Sequence, residues 1–242
     1  MRIVITSPPK MGNKWLKCLL GTAYGLDWLR GDNTPMTQVS GFRQWIAEGN
    51  FRDDTIFHQH CRYKPGLCDT LDRINAHTVS IIRDPYDAFV SMYYWLQTRK
   101  VADEEKGKNR RERPRDVLVG RSITDPEILA YLADDFGVYI DRAVEWNESG
   151  RSHVVRYEDL HKDTFGVMKA LTERIKPVDD ETLRNAIETC KADNMRKLSP
   201  KMAQHIRSAK VGDSRERLSD VHFAIFRERY AGQLERLGYE IR

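Results

Sequence analysis

Ile3-Val4-Ile5-Thr6-Ser7-Pro8-Pro9-Lys10-Met11-Gly12-Asn13-Lys14-Trp15-Leu16 is the stretch that decides the fold. Its first four residues are β-branched, the pattern of a buried strand. Pro8 and Pro9 end that strand, Gly12 permits a turn, and Trp15, Leu16, Leu19 and Leu20 then recur at helical spacing. A strand turning tightly into a helix aims backbone N–H groups and the helix dipole at one point. Lys10 and Lys14 add positive charge there, so the stretch reads as a P-loop-like cradle for a phosphate or sulfate. Short glycine-containing turns also join strands to helices where nothing binds. The cradle is not a Walker A loop. It has one glycine, and no Ser or Thr follows a lysine to hold Mg²⁺.

Downstream, Asp54 to His60, Thr78 to Ile82 and His153 to Tyr157 are further strand candidates, separated by helical patterns. Asp84-Pro85 opens a helix through Phe89, Met92 and Leu96, with proline at the favoured first turn. Asp125-Pro126 opens a long helix whose stripe runs Ile128, Leu129, Leu132, Phe136, Ile140 and Val144, and Gly150 ends it. Helices are expected at about 162–175 and 179–192, a polar stretch from about 197 to 218, and a last helix capped by Ser219. Strands alternating with helices predict one α/β domain over residues 1–242, with a mostly parallel sheet flanked by helices.

Composition excludes several classes. With 242 residues, 40% hydrophobic and 31% charged, the chain is long and apolar enough to bury a core. A net charge of +4 is too small for a nucleic-acid coat, and no apolar run approaches the ~20 residues that span a bilayer. The N-terminal residues lack the h-region and cleavage site of a signal peptide. Four cysteines make no disulfide framework, and Cys61 and Cys68 have no matching pair for zinc, so the default compartment is the cytoplasm. Between Arg99 and Arg121 stand nine basic and five acidic residues, which carry the whole excess. Residues 99–124 read as a charged, mobile loop.

Four segments together resemble the PAPS-dependent sulfotransferases, which use 3′-phosphoadenosine 5′-phosphosulfate. Pro9-Lys10-Met11-Gly12-Asn13-Lys14-Trp15-Leu16 is similar to that family's P-K-S-G-T-T-W-L loop. Arg83-Asp84-Pro85-Tyr86-Asp87, with Ser91 and Tyr93, resembles R-N-P-R-D-x-x-x-S-x-Y, whose Arg and Ser bind the 3′-phosphate. An arginine leaving a strand end, with a hydroxyl eight residues on, is an effective pairing for a dianion. Tyr157-Glu158-Asp159-Leu160 resembles Y-E-D-L, and Arg207 through Ser214 resembles R-K-G-x-x-G-D-W with Arg207, Gly212 and Asp213 matching. Ser208, Ala209 and Ser214 replace the Lys, a Gly and the Trp.

What the resemblance implies is a sulfuryl transfer from PAPS to a hydroxyl, or less readily an amine, of a small-molecule acceptor. Lys10 would neutralise charge on the leaving oxygen, and Ser91 would share the catalytic site. Gly12, Asn13, Lys14 and Trp15 would hold the 5′ end and the adenine, with Tyr157 the second aromatic; the family's other adenine-stacking aromatic would fall near Ala192, upstream of Met195, and is missing here. Arg83, Ser91, Arg207, Lys210 and Gly212 would hold the 3′-phosphate. The base would be His60, at a strand end similar to the family's K-T-H, with His58 of the same strand parity as its support or replacement. No metal is implied, and no nucleic acid or membrane; a homo-oligomer is left open. Residues 28–50 (with Trp28, Phe42 and Trp45) and 93–124 (with Tyr93, Tyr94 and Trp95) would choose the acceptor, the charged loop lying near its mouth. Two alternatives stay beside this reading: a P-loop-like nucleotide kinase, and an inactive module that binds PAP or a nucleotide.

Overall fold

The computed structural model describes residues 1–29, 39–98, 118–206 and 208–242. Five parallel strands form one sheet in the order β2-β3-β1-β4-β5. They are β1 (Arg2–Ile5), β2 (Asp27–Trp28), β3 (Thr55–His58), β4 (Ala76–Ile82) and β5 (His153–Arg156). The central strand is the one that opens the chain, and Ile3 sits between Ile56 of β3 and His77 of β4. A strand so placed is covered on both faces, which accounts for its unbroken apolar run. Ile3 and Ile5 belong to one apolar cluster, with Leu16, Leu19 and Leu20. Val4 belongs to another, with Phe42, Phe57, Leu67 and Trp146. The alternation is the period-2 rule of an extended strand.

The helices are α1 (Asn13–Tyr24), α2 (Val39–Ala47), α3 (Pro65–Arg73), α4 (Pro85–Gln97), α5 (Pro126–Ala130), α6 (Gly137–Glu148), α7 (Tyr157–Lys162) and α8 (Thr164–Ile175). They continue with α9 (Asp180–Thr189), α10 (Ala192–Lys197), α11 (Pro200–His205), α12 (Ser214–Arg217) and α13 (Asp220–Leu237). Several starts follow the local rules. The Asp84 carboxylate accepts from the backbone of Tyr86 and Asp87 at the head of α4, and Ser219 and His222 form a reciprocal capping box on α13. Helices α2 and α3 and the two-residue strand β2 were not among the sequence expectations, because each is too short to show a periodicity of its own.

One expected element is broken. The helix read as continuous from Asp125 to Gly150 carries a π-helical turn over Tyr131–Asp135, between α5 and α6. The wider ring shows in the bond from Phe136 N to Tyr131 O, 2.9 Å. The Tyr230 hydroxyl, on α13, donates to the carbonyls of Leu132 and Ala133 that the turn exposes. Gly137 makes room for that ring, since a Cβ there would lie 2.8 Å from Tyr230 Cε1.

The cysteines also depart from expectation. Cys18 of α1 and Cys190, which caps α9, form a disulfide across a sequence separation of 172 residues. Spacing in sequence carries no sign of such a distant pairing. Cys61 and Cys68 are buried thiols. A crosslink over a separation of 172 residues limits the unfolded chain and contributes about 2–5 kcal/mol on chain-entropy grounds. Reduction, or Cys190→Ser, is therefore expected to lower the melting temperature by about 2–4 °C per kcal/mol lost. Calorimetric scans with and without dithiothreitol check this; coincident transitions would show that the bridge contributes nothing.

Candidate active site

The carboxyl ends of β1, β3, β4 and β5 converge on one cavity of about 620 Å³. This is where open α/β sheets place ligands. Its floor is the loop between β1 and α1, with Pro9, Lys10, Gly12, Asn13, Lys14 and Trp15 in the wall. Lys10 and Gly12 both adopt positive φ, 70° and 106°. Gly12 is fixed twice over, because a Cβ there would lie 2.7 Å from Tyr157 Cδ2. A glycine is what lets the aromatic ring at the end of β5 lie against this loop. Asn13 turns inward and donates to the Pro8 carbonyl at 2.7 Å, with its Oδ1 buried and without a partner. One of its amide hydrogens thus braces the loop, and the residue remains in the cavity wall.

Arg83 leaves the end of β4 and is buried. Its guanidinium lies 4.3 Å from the centroid of the Tyr157 ring, 2.8 Å from the Lys210 carbonyl and 3.5 Å from the Asp87 carboxylate. Its Nε is buried with no hydrogen-bond partner. Asp87, 1% exposed, accepts from Gly212 N at 2.7 Å and from Ser214 N at 2.9 Å. That carboxylate ties the 208–214 loop to α4. Ser91, two turns along α4 from Arg83, lines the same cavity. Glu158 accepts from Asp84 N at 2.9 Å and from the Tyr239 hydroxyl at 3.0 Å, so the acid after Tyr157 braces the head of α4.

In the late loop, Lys210 and Gly212 do not line the cavity. Lys210 is exposed and contributes its carbonyl to Arg83, while the Gly212 amide is taken by Asp87. Both act by holding Arg83 and Asp87, which a reading of side-chain charge missed. Arg207 lies outside the described residues. Ala209 takes φ 51°, a left-handed conformation, at the position where the resembling motif has glycine.

At the other end, His60 Nδ1 lies 2.6 Å from the Ser7 carbonyl. A carbonyl only accepts, so Nδ1 carries the proton and Nε2 keeps its lone pair. Burial pushes the His60 pKa down, against the Ser7 bond that raises it; the charges of Arg142 and Lys10 lower it further. His60 is therefore a neutral imidazole near pH 7. The His58 ring is 5.3 Å away, centroid to centroid, and lines the cavity too.

Of the aromatic residues expected near the acceptor, only Trp95 lines the cavity, with Lys10 Nζ 5.9 Å from its centroid. Tyr93 donates to the Arg121 carbonyl and packs on Tyr94. Phe42 is in the second core with Trp45 packed on it, and Trp28 packs over Gly21. Of these only Phe42 is fully buried, while Trp28, Trp45, Tyr93 and Tyr94 are half-buried against the core, and residues 30–38 lie outside the described ones. Residues 99–117 of the charged loop lie outside the described ones; 118–124 fold back on α4 through Gln97, away from the cavity wall.

Several wall residues escaped the sequence reading, His161, Tyr139 and Arg142 among them. His161, one turn after Tyr157 on α7, has its ring 6.3 Å from that of Trp15 and its Nε2 3.0 Å from the Ala209 carbonyl. The i, i+4 spacing from Tyr157 was its available signal. Tyr139 and Arg142, at i, i+3 on α6, also face the cavity. Ile187, Lys191, Ala192 and Met195 close the side beyond Trp15. Among the described residues no cluster of three or more His, Cys, Asp or Glu could hold a metal, and no helix is long and apolar enough to cross a membrane.

The profile of one protein family, described as "Sulfotransferase domain", matches residues 1–238. The chain belongs to the sulfotransferase domain family. This sulfotransferase shares its fold with mouse sulfotransferase SULT7A1 complexed with PAP, at 17% identity and TM-score 0.70, over 96% of this chain and 83% of that one. Retinol dehydratase in complex with androsterone and inactive cofactor PAP matches at 14% identity and TM-score 0.64, over 100% and 83%. The same enzyme in a complex with retinol and PAP gives 14% and 0.65, over 100% and 84%. Identities this low speak to the fold alone. No curated protein matches the sulfotransferase in sequence.

Two substitutions probe the loops. Ala209→Gly removes a left-handed alanine and is expected to stabilise the fold by up to about 1–2 kcal/mol, seen as a raised urea midpoint. Gly12→Ala, which must displace Tyr157, is expected to cost more than that; a neutral midpoint would show that the ring is free to move.

Proposed function

We propose that this sulfotransferase moves a sulfuryl group from PAPS to a hydroxyl of a small-molecule acceptor, leaving PAP. The observation that carries the reading is the meeting, in one cavity, of a glycine-turned loop with Lys10, a buried Arg83, and a neutral His60. The residues suit such a cofactor on their own chemistry. Arg83 has a buried Nε without a partner at one end, and the loop at the head of α1 brings backbone N–H groups and lysine charge to the middle. Trp15, Tyr157 and His161 give the nucleobase aromatic edges and faces.

When bound, PAPS supplies the sulfuryl group, its bond from sulfur to the bridging oxygen breaking as the acceptor oxygen bonds to sulfur. The chain's residues supply position and charge. Lys10 stabilises the negative charge that gathers on the leaving oxygen. His60 Nε2 takes the acceptor's proton while the Ser7 carbonyl holds the ring, and His58 stands beside it. Arg83 and Ser91 grip the 3′-phosphate, with Asp87 keeping the guanidinium and the late loop in place. Gly12 and the head of α1 hold the 5′-phosphate, and Lys14, in the cavity wall, adds its charge there. A cytoplasmic location requires the fold to stand with Cys18 and Cys190 reduced.

Lys10→Ala is expected to abolish transfer from labelled PAPS in the presence of EDTA while PAP still binds; undiminished turnover would sink the assignment. Arg83→Ala should weaken PAP at least tenfold by calorimetry, the size of a lost charge-assisted contact; unchanged affinity would misplace the 3′-phosphate. Because the His60 pKa is lowered, it protonates only below the ordinary histidine value of about 6.5. The acid limb of kcat/KM should therefore lie below that pH and vanish in His60→Ala. A limb above it would assign the base elsewhere.

A further inference from the structure

Arg142 is a charged wall residue that the chemistry above does not use. It projects from α6 into the cavity and donates from Nη1 to the His60 carbonyl at 3.1 Å. Its guanidinium carbon lies 5.9 Å from the centroid of the Tyr139 ring, another wall residue. Its Nε is buried with no hydrogen-bond partner, and it forms no ion pair with any described carboxylate. The nearby acids on its own helix are engaged elsewhere: Glu145 with Arg62, Asp141 with Gln233, and Glu148 with Arg236. The carboxylates of the cavity, Asp87 and Asp213, belong to the other end, where Asp87 holds the late loop.

The surroundings sharpen the point. Among the described wall residues, those linked to His60 or to its neighbours by charge or ring proximity are Lys10, His58, Trp95, Tyr139 and Arg142. They comprise cationic, neutral and aromatic groups, with no described acid among them. A permanent guanidinium in a concave, partly desolvated wall costs free energy unless an anion compensates it. Lys10 is already assigned to the leaving oxygen, which leaves the Arg142 charge unmatched. Structural support of the strand end by one bond to a carbonyl would need only a neutral donor. A charged, planar fork beside an aromatic ring is the means by which proteins take carboxylate or phosphate groups.

We infer that Arg142 is a specificity-determining residue which binds an anionic oxygen group, carboxylate or phosphate, on the acceptor, so that the preferred acceptor is an acidic molecule with a free hydroxyl. The inference rests on the transfer reading above. Tyr139 and Trp95 flank the acceptor body, Arg142 holds its acidic end, and the hydroxyl meets His60.

The test uses the PAP-loaded protein and two matched pairs, para-hydroxyphenylpropionate and hydroxydecanoate, each against its methyl ester. Calorimetric titration should show at least one acid binding about tenfold or more tightly than its ester, the size of a charge-assisted contact. Arg142→Gln, which keeps a donor for the His60 carbonyl, should bring the ratio to about one. Arg142→Lys should restore part of it, as a point charge without the fork. Acid and ester binding alike, or neither binding in either pair, overturns the inference. So does a preference that survives Arg142→Gln. PAP affinity is measured in the same titrations and reports the fold of each variant. Wild-type protein that fails to bind PAP overturns the reading of the cofactor site instead, so the two failures are distinguishable. If Arg142 served only to hold the strand end or to set the basicity of His60, Arg142→Gln would shift the pH profile of turnover and leave the acid-to-ester ratio unmoved.

Discussion

A buried carboxylate organises one half of the cavity. Asp87 has almost no exposure, and an ionised group there must be satisfied by donors or a counterion. It has both: the amides of Gly212 and Ser214, and Arg83 at 3.5 Å. Through those contacts a residue on α4 fixes a loop more than a hundred positions later, and that loop returns a carbonyl, from Lys210, to Arg83. The arginine is thus held on two sides and against the Tyr157 face. Tyr157 in turn lies against Gly12, which joins this assembly to the loop at the end of the central strand. Remove the carboxylate, and the guanidinium, the late loop and the aromatic ring lose their common anchor.

The other half rests on backbone. The Ser7 carbonyl fixes the tautomer of His60, and Arg142 holds the carbonyl of the same residue. Positive charge and burial then act in one direction on the imidazole, keeping it unprotonated. The two halves meet at Lys10, whose left-handed backbone is a conformation seldom adopted by residues with a side chain. Strain at such a position persists where the surrounding structure over-determines it.

How much was legible depended on the kind of signal. The central strand, the loop after it and α4 were readable because β-branched runs, prolines and caps act locally. The same locality gave Lys10 and Gly12 as neighbours of a strand end, while Arg83 and Ser91 were legible through the resemblance of their motif. What stayed hidden depends on the approach of distant segments. The Cys18–Cys190 pair, the turn that interrupts the helix after Asp125, and the use of main-chain groups at Lys210 and Gly212 leave no periodicity to detect. Arg142 was invisible for another reason: on an amphipathic helix a charged residue between Ile140 and Val144 looks like an ordinary solvated position. Trp28, Phe42 and Trp45 pack in or against the core instead of lining the cavity, as large apolar rings more often do.

The disulfide has a consequence for how the cavity can open. Cys18 lies on the helix that begins at the phosphate loop, and Cys190 directly precedes Lys191 and Ala192, which line the cavity beside that helix. Local unfolding that separates the two segments is restricted by the covalent bond between them. Parting the start of α1 from the segment at Lys191 would have to work against that bond.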